Sequence, residues 1–223
     1  MSRVADPLAK ITLLRAAEEV FSERGLAGAK VEDIAKRAGL SKGAFYLHFD
    51  SKEAALKQVV ESFLARCGAL LASPAAYPDL PADPSAALDF AFERDVQMFE
   101  FLWQNQAILR ILGTCGGQYD YLVQAFHSEM EQTSREWIEH WRREDLFRPE
   151  IDVELVVTMM HGAYNQLVMR MLTFEGKRPP LEEWLAFAQE TFIRAYGTNA
   201  LIQASENRRV SNEKRSRRER GKV

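Results

Sequence analysis

The stretch "VEDIAKRAGLSKGAFYLHFDSKE", residues 31–53, decides the fold of this chain. Gly39 permits the positive φ of a sharp turn, and Ser41 is placed to cap the helix that follows. Phe45 and Phe49 lie one helical turn apart, so both rings are expected to face the same core. The stretch therefore predicts two helices joined by a tight turn, which is the layout of a helix-turn-helix.

The second of these helices presents small and polar residues on its outer side. Lys42 and Tyr46 lie one turn apart, opposite the two phenylalanines, and Lys42 can reach a phosphate or a guanine edge. Gly43 and Ala44 let the backbone approach a nucleic acid closely, while the helix N-terminus directs free N–H groups toward phosphate. This face predicts a recognition helix for the DNA major groove, and the alternative is a capped helix in an ordinary bundle. The residues predicted to contact DNA are Lys30, Ser41, Lys42, Gly43, Ala44, Tyr46, His48 and Lys52.

Composition narrows the class of protein. The 223 residues are 47% hydrophobic, enough for a core, and carry a net charge of −3. Residues 1–52 carry +2, residues 53–204 carry −10 and residues 205–223 carry +5, so a polyanion is expected only at the ends. Cys67 and Cys115 are interpreted as buried hydrophobic residues, with a redox or ligand-lining thiol as the alternative. Without a leader or a spanning apolar run, a cytoplasmic location with no membrane contact is expected.

Helical periodicity runs through the chain and indicates an all-α fold of about nine helices. The segment "SPAAYPDLPADPS", residues 73–85, contains four prolines and is the clearest linker. Helices are predicted beyond it at roughly 85–103, 105–113, 118–145, 152–174 and 181–203. The predicted domains are a helix-turn-helix domain at 1–52, a helical ligand-binding and dimerisation domain at 53–204, and a basic, disordered tail at 205–223. The tail is read as a solvated end, with a second nucleic-acid or membrane-surface anchor as the alternative.

Residues 11–56, "ITLLRAAEEVFSERGLAGAKVEDIAKRAGLSKGAFYLHFDSKEAAL", resemble the N-terminal DNA-binding domain of the TetR family of bacterial transcription regulators. The resemblance implies three helices in that domain, a homodimer on a palindromic DNA operator, and release when a small-molecule effector binds. Lys30 and Ala44 depart from the family pattern, which usually has threonine at these positions. The residues that fall at the family's spacing are Ile11, Ala17, Phe21, Gly25, Ile34, Ala35, Gly39, Ser41, Tyr46, Phe49, Lys52 and Leu56.

The central helices carry aromatic rings, thioethers and a few polar groups that suit a pocket for a largely apolar or aromatic ligand. Each of these residues is also a candidate for ordinary core packing. His161 and Asn165 lie one turn apart in an apolar segment, so they are predicted to contact the ligand, with pairing to each other or across a dimer as the alternative. The predicted ligand-binding residues are Phe99, Trp103, Phe126, Met130, Met160, His161, Tyr164 and Asn165.

Other functions have little support in the sequence. A Gly-rich phosphate loop, HExxH and GxSxG are absent from it, so no catalytic residue and no cofactor are predicted. Glu136, His140 and Glu144 share a helix face and are interpreted as a charged surface rather than a metal site. The alternative function is a helical small-molecule-binding protein or enzyme without operator binding. The last two long helices are predicted to form the dimer interface, with Leu167, Leu172, Trp184, Phe187 and Phe192 contributing apolar surface.

Overall fold

The computed structural model describes residues 6–114, 117–174 and 176–220, and within these ranges the chain is helical without a strand. The all-α prediction is therefore confirmed, with ten α-helices in these ranges where about nine were predicted. They are α1 (Pro7–Gly28), α2 (Val31–Arg37), α3 (Lys42–Tyr46), α4 (Lys52–Leu70), α5 (Pro84–Gln104), α6 (Gln106–Thr114), α7 (Asp120–Arg143), α8 (Val153–Met171), α9 (Leu181–Tyr196) and α10 (Asn199–Arg220). A short 3-10 turn at Pro74–Ala76 lies in the proline-rich linker.

Helix α1 begins and is interrupted at residues that the sequence marks. The Asp6 carboxylate accepts a hydrogen bond from the backbone N–H of Leu8 at 3.0 Å, and Pro7 occupies the first turn, where its missing N–H costs nothing. Gly25 has φ 65°, so the helical path is broken there even though α1 continues to Gly28. The short segment from the break to Gly28 therefore lies between the long part of α1 and α2.

The turn between α2 and α3 is closed by backbone hydrogen bonds. Gly39 has φ 68°, a conformation that L side chains rarely adopt. The N–H of Leu40 donates to the carbonyl of Ala35 at 2.9 Å, and that of Gly39 donates to Lys36 at 3.1 Å. This pair of bonds is a Schellman motif, which ends α2 and directs the chain into α3.

The helix predicted at 181–203 is instead two helices, α9 and α10, separated at Gly197. A Cβ at Gly197 would lie 2.6 Å from the carbonyl oxygen of Ile193, so only glycine fits the close approach of the chain. The next residue, Thr198, donates its backbone N–H to Leu146 at 2.9 Å and its hydroxyl to the carbonyl of Asp145 at 3.0 Å. Hydrogen bonds to the loop after α7 therefore stabilise the chain at the junction of α9 and α10.

Contacts divide the chain into two units. The first comprises the described parts of Met1–Ala69 and Gln104–His127, and the second those of Leu70–Trp103 and Ser128–Val223. α4 and α6 belong with the first unit, where Val59 and Ile108 line one cavity together with Ile11 of α1. The units defined by contacts do not divide at residue 52, and the functional boundary predicted there stays a prediction.

The segment predicted to be disordered from residue 205 continues helix α10 as far as Arg220. Arg208 explains why the helix persists past 205, since its guanidinium pairs with Asp89 at 2.7 Å and lies 5.0 Å from the ring centre of Phe92. It also donates to the side-chain oxygen of Gln189 at 2.9 Å. These contacts with α5 and α9 supply the interactions that the low apolar content of the segment does not.

Two smaller predictions concern cysteine and membranes. Cys67 is a buried free thiol in α4, and burial raises its pKa to about 12, so it has little thiolate character. Cys115 lies outside the described residues. In the described part of the chain, no helix is both long and apolar enough to cross a bilayer.

Candidate functional site

Two buried aromatic rings and an N-terminal cap fix helix α3. Phe45 is fully buried and Phe49 nearly so, with their ring centres 5.3 Å apart. The hydroxyl of Ser41 accepts a hydrogen bond from the backbone N–H of Ala44 at 3.1 Å, which satisfies one free donor of the first turn. Because α3 has only five residues, these contacts rather than its own backbone bonds must fix its direction.

The outer face of α3 carries an exposed lysine and an exposed tyrosine. The Lys42 ammonium lies 5.9 Å from the ring centre of Tyr46, and the Tyr46 side chain is 50% exposed. Lys42 also donates to a carboxylate oxygen of Glu32 at 2.5 Å, which lowers the pKa of Glu32 and raises that of Lys42. Since the pair is on the surface, breaking it costs little, and a phosphate can replace Glu32 as the partner of Lys42.

Lys52 contacts backbone carbonyls near the end of α1. Its ammonium donates to the carbonyl oxygens of Leu26 at 2.8 Å and Ala29 at 3.0 Å. The break at Gly25 leaves these carbonyls unpaired at the end of α1, where the helix dipole favours a cation. Lys52 therefore ties α4 to α1 and helps to position the helix-turn-helix. Its contact with phosphate stays a prediction.

The other predicted DNA contacts vary in exposure. Lys30 and Gly43 are exposed, whereas Ala44 and His48 are half-buried, with the His48 ring centre 6.3 Å from that of Phe49. Lys30 occupies the N-cap position of α2 and makes no side-chain capping bond, which agrees with the loss of the usual threonine cap. DNA contact by these side chains stays a prediction.

The second unit contains a cavity of about 120 Å³. Its walls come from α5, α7, α8, α9 and α10, and most of its surface is aromatic or aliphatic. The lining residues are Ala87, Leu88, Ala91, Arg94, Asp95, Ser134, Trp137, Ile138, Trp141, Leu146, Phe147, Met160, Tyr164, Gln189, Phe192, Ile193 and Leu201. An apolar cavity with a few polar groups is typical of a small-molecule site.

Two charged side chains of α5 reach this cavity. The guanidinium of Arg94 lies 4.1 Å from the ring centre of Trp137, and the Tyr164 hydroxyl donates to the carboxylate of Asp95 at 2.5 Å. Burial lowers the pKa of Arg94 and raises that of Asp95, and for Asp95 the Tyr164 hydrogen bond and the Arg94 charge act in the opposite direction. Burial, and after it the charge of Asp95, raises the pKa of Tyr164 well above its usual value. The phenol is therefore neutral and available as a donor.

The structure brings some of the predicted ligand residues together. Met160 and Tyr164 line the cavity, and Phe99 lies behind them with its ring centre 5.9 Å from that of Tyr164. His161 shares a hydrogen bond of 2.9 Å with Ser134, which is a lining residue. The other six predicted residues are outside the lining, and they are Phe99, Trp103, Met130, His161 and Asn165 of the second unit and Phe126 of the first.

Sequence reasoning missed the most polar part of the cavity. Arg94 and Asp95 lie in "FAFERDVQMF", residues 90–99, where two of three adjacent charges interrupt an aromatic and aliphatic run. That interruption is the signal that identifies them, because a charge turned toward a core must have a function or a partner. Phe192, predicted for the dimer interface, also lines the cavity, and its place in an interface stays a prediction. Within the described residues, no group of three His, Cys, Asp or Glu is arranged to hold a metal ion.

Asp95 is expected to make the stability of the second unit depend on pH. Since burial raises its pKa above the usual 3.8, the folded chain binds this proton more tightly than the unfolded chain. The stabilisation from the bound proton is complete below pH 3.8 and is lost as the pH rises through the folded-state pKa. Asp95→Asn removes this loss, so the stability of the variant relative to wild type should increase as the pH rises above about 4. Urea unfolding at a series of pH values measures the difference, with the exposed Asp79→Asn as control, and a pH-independent difference would contradict the assignment.

Comparison with known proteins identifies the class of this helix-turn-helix. Residues 13–59 match the family model described as bacterial regulatory proteins, tetR family. YdgC of Bacillus subtilis (strain 168), an uncharacterized HTH-type transcriptional regulator, is 30% identical over 168 residues, which cover 75% of this chain and 83% of YdgC. The chain belongs to the TetR family. It is therefore a DNA-binding transcriptional regulator, and α2 and α3 form its helix-turn-helix.

The similarity of this TetR-family chain to known proteins extends beyond the DNA-binding helices. The transcriptional repressor DhaR of Mycobacterium sp. (strain GP1) is 25% identical over 208 residues, covering 90% of this chain and 95% of DhaR. The structure of SmeT, the repressor of the Stenotrophomonas maltophilia multidrug efflux pump SmeDEF, matches with a TM-score of 0.68 at 20% identity. It covers 86% of this chain and 92% of that chain, so the helical fold of the second unit is also that of a TetR-family structure.

Proposed function

We propose that this TetR-family regulator is a cytoplasmic, homodimeric repressor, released from a palindromic operator when a small, largely apolar or aromatic molecule binds. The observation that carries the proposal is the exposed pair of Lys42 and Tyr46 on α3, held outward by the buried ring of Phe45. The aromatic cavity of the second unit provides a place for the effector. The relatives DhaR and SmeT are both described as repressors, which supports repression rather than activation by this protein.

Operator binding by such a dimer depends on the spacing of its two recognition helices. Each α3 enters a major groove, and the two grooves must lie about one helical turn, or a multiple of it, apart. Lys42 and the N-terminus of α3 supply phosphate contacts, which fix the position of the protein on DNA. An effector that changes the spacing by a small amount is then sufficient to release the operator.

The proposed dimer interface lies on α8 and α9. Leu155, Met159 and Met169 are 61%, 58% and 48% exposed on α8, and Phe187 is 74% exposed on α9. Leu155, Met159 and Met169 follow helical spacing, with the exposed Gly162 between them, and form one apolar stripe. A stripe of this kind suits the self-complementary contact of a two-fold dimer.

Met159→Glu combined with Phe187→Glu is expected to convert the dimer to a monomer, because it places charges where apolar surface would be buried. Size-exclusion chromatography with light scattering should give twice the chain mass of 25.4 kDa for wild type and the single mass for the variant. Leu8→Glu combined with Tyr121→Glu changes two exposed apolar residues of the first unit and serves as control. A double variant that stays dimeric would exclude this surface as the interface.

The release step is tested on a duplex selected from random sequences by binding to the full-length protein. Compounds that raise the melting temperature in a screen of hydrophobic acids, acyl thioesters, aromatic compounds and drugs are then added to the protein–DNA complex. At least one stabilising compound is expected to lower the affinity for the duplex by about tenfold or more, which corresponds to the usual size of allosteric coupling. If every stabilising compound leaves the affinity unchanged, the second unit does not control DNA binding.

A further inference from the structure

The cavity of the second unit contains a stacked cation on a rigid wall. Trp137 is fixed by a hydrogen bond from its indole N–H to the carbonyl of Ala72 at 2.9 Å and by ring contact with Trp141 at 5.4 Å. The guanidinium of Arg94 lies over the Trp137 ring, with 4.1 Å from its central carbon to the ring centre. A cation at that distance from the ring is held by cation–π attraction, and its edge, with the N–H donors, stays available.

The Nε–H of Arg94 lacks an acceptor in the described part of the cavity, although the charge of the neighbouring Asp95 favours the charged guanidinium. The Nε atom is buried and has no hydrogen-bond partner among the described residues. The adjacent carboxylate of Asp95 instead accepts the hydroxyl of Tyr164 at 2.5 Å. A buried donor of a charged group without an acceptor is costly and uncommon in folded proteins, so this N–H suits an acceptor supplied by a ligand.

The size of the cavity limits that ligand. At about 120 Å³ it is close to the engineered cavity of about 150 Å³ that admits benzene. Trp141, Phe147 and Phe192 supply aromatic walls. The side-chain amide N–H of Gln189 donates a hydrogen bond to the carbonyl of Leu88 at 3.0 Å. The space therefore fits one ring or an apolar body of similar volume, with few polar groups besides that of Arg94.

We propose that the effector is a small carboxylic acid with one aromatic ring or a similar apolar body, and that its carboxylate binds the Nε edge of Arg94. The ring then lies among the aromatic walls, and the N–H donors of the guanidinium fork match the two carboxylate oxygens. A cationic ligand fits less well, because Asp95 is already engaged by Tyr164 and Arg94 repels a second positive charge. This inference rests on the proposed function, since it gives the chemistry of the effector for the same cavity.

Calorimetric titration of the full-length protein with matched acids and amides tests this chemistry. The probes are benzoate, phenylacetate and 4-hydroxybenzoate, each compared with its own amide. At least one acid is expected to bind about 10-fold or more tightly than its amide, and Arg94→Met should weaken that acid by about 10- to 100-fold while changing the amide little. The exposed Arg143→Met removes the same charge outside the cavity and should leave both affinities unchanged.

The alternative results separate the two proposals. Amides that bind wild type as tightly as the acids, an Arg94→Met variant with unchanged acid affinity, or no binding by any of the three acids would each overturn the inference. Arg94→Lys keeps the charge but loses Nε, so its affinity for the acid should lie between those of wild type and Arg94→Met. The comparison of acid with amide is made in wild type and needs no variant. If an amide but no acid releases the selected duplex, the proposed function stands and the inference fails. If an acid binds through Arg94 without releasing DNA, the contact between its carboxylate and Arg94 is confirmed, but that acid is not an effector and the proposed release by a ligand of this cavity fails.

Discussion

Replacing Lys42 and Tyr46 together with alanine is expected to lower the affinity for the selected operator by roughly 100-fold or more, because each contact is lost twice in a dimer. Both side chains lie on the outer face of α3, and the ion pair between Lys42 and Glu32 is on the surface. The salt dependence of binding should also become shallower, with the slope reduced by about one for each lysine removed from a phosphate. Fluorescence anisotropy over a series of salt concentrations measures both quantities.

The matched control for this variant is Lys177→Ala combined with Tyr121→Ala, which removes an exposed lysine and an exposed tyrosine outside the helix-turn-helix. Thermal unfolding of both double variants should match wild type, because none of the four side chains is buried. If the Lys42 and Tyr46 variant binds within about threefold of wild type, α3 does not contact the operator in the proposed way.

Phe45→Ala is expected to destabilise the first unit by about 3–5 kcal/mol, the usual cost of deleting a buried phenylalanine ring. The ring is fully buried and contacts both Phe49 and Tyr46, with ring centres 5.3 Å and 5.6 Å apart. Because a typical domain is stable by only about 5–15 kcal/mol, much of the helix-turn-helix should unfold. Operator binding should be lost although Lys42 and Tyr46 are unchanged.

The neighbouring Leu47→Ala separates burial from position in the sequence. Leu47 is 47% exposed, so its truncation should cost no more than about 1 kcal/mol. Urea unfolding followed by circular dichroism gives both values. Equal losses of stability for the two variants would contradict the role of Phe45 as the anchor of α3.

The helix-turn-helix was predictable because its signals are local. A glycine turn, a serine cap and two phenylalanines one turn apart are all within a few residues, and each has one favoured geometry. Lys52 shows where local reasoning ends. Its partners, the carbonyls of Leu26 and Ala29, are more than twenty residues away in sequence, so only the folded chain shows that the Lys52 ammonium reaches them.

The cavity was harder to predict for the same reason. Met160 and Tyr164 follow helical spacing in an apolar segment, so both were identified from α8 alone. Arg94 and Trp137 lie on different helices, and only folding brings the guanidinium onto the indole ring. Gly197 separates two helices through its distance from the Ile193 carbonyl, whereas in the sequence it lies within one continuous helical pattern.

The central claim is that a dimer of this chain binds one palindromic duplex through its helix-turn-helix. It is tested most directly by selecting duplexes from random sequences and titrating the recovered duplex with the full-length protein at increasing salt. The account predicts an enriched palindrome with half-sites about one helical turn or a multiple apart, two protomers bound per duplex, and an affinity that falls steeply with salt. Recovery of no enriched sequence, with no duplex bound even at about 50 mM salt, would contradict it.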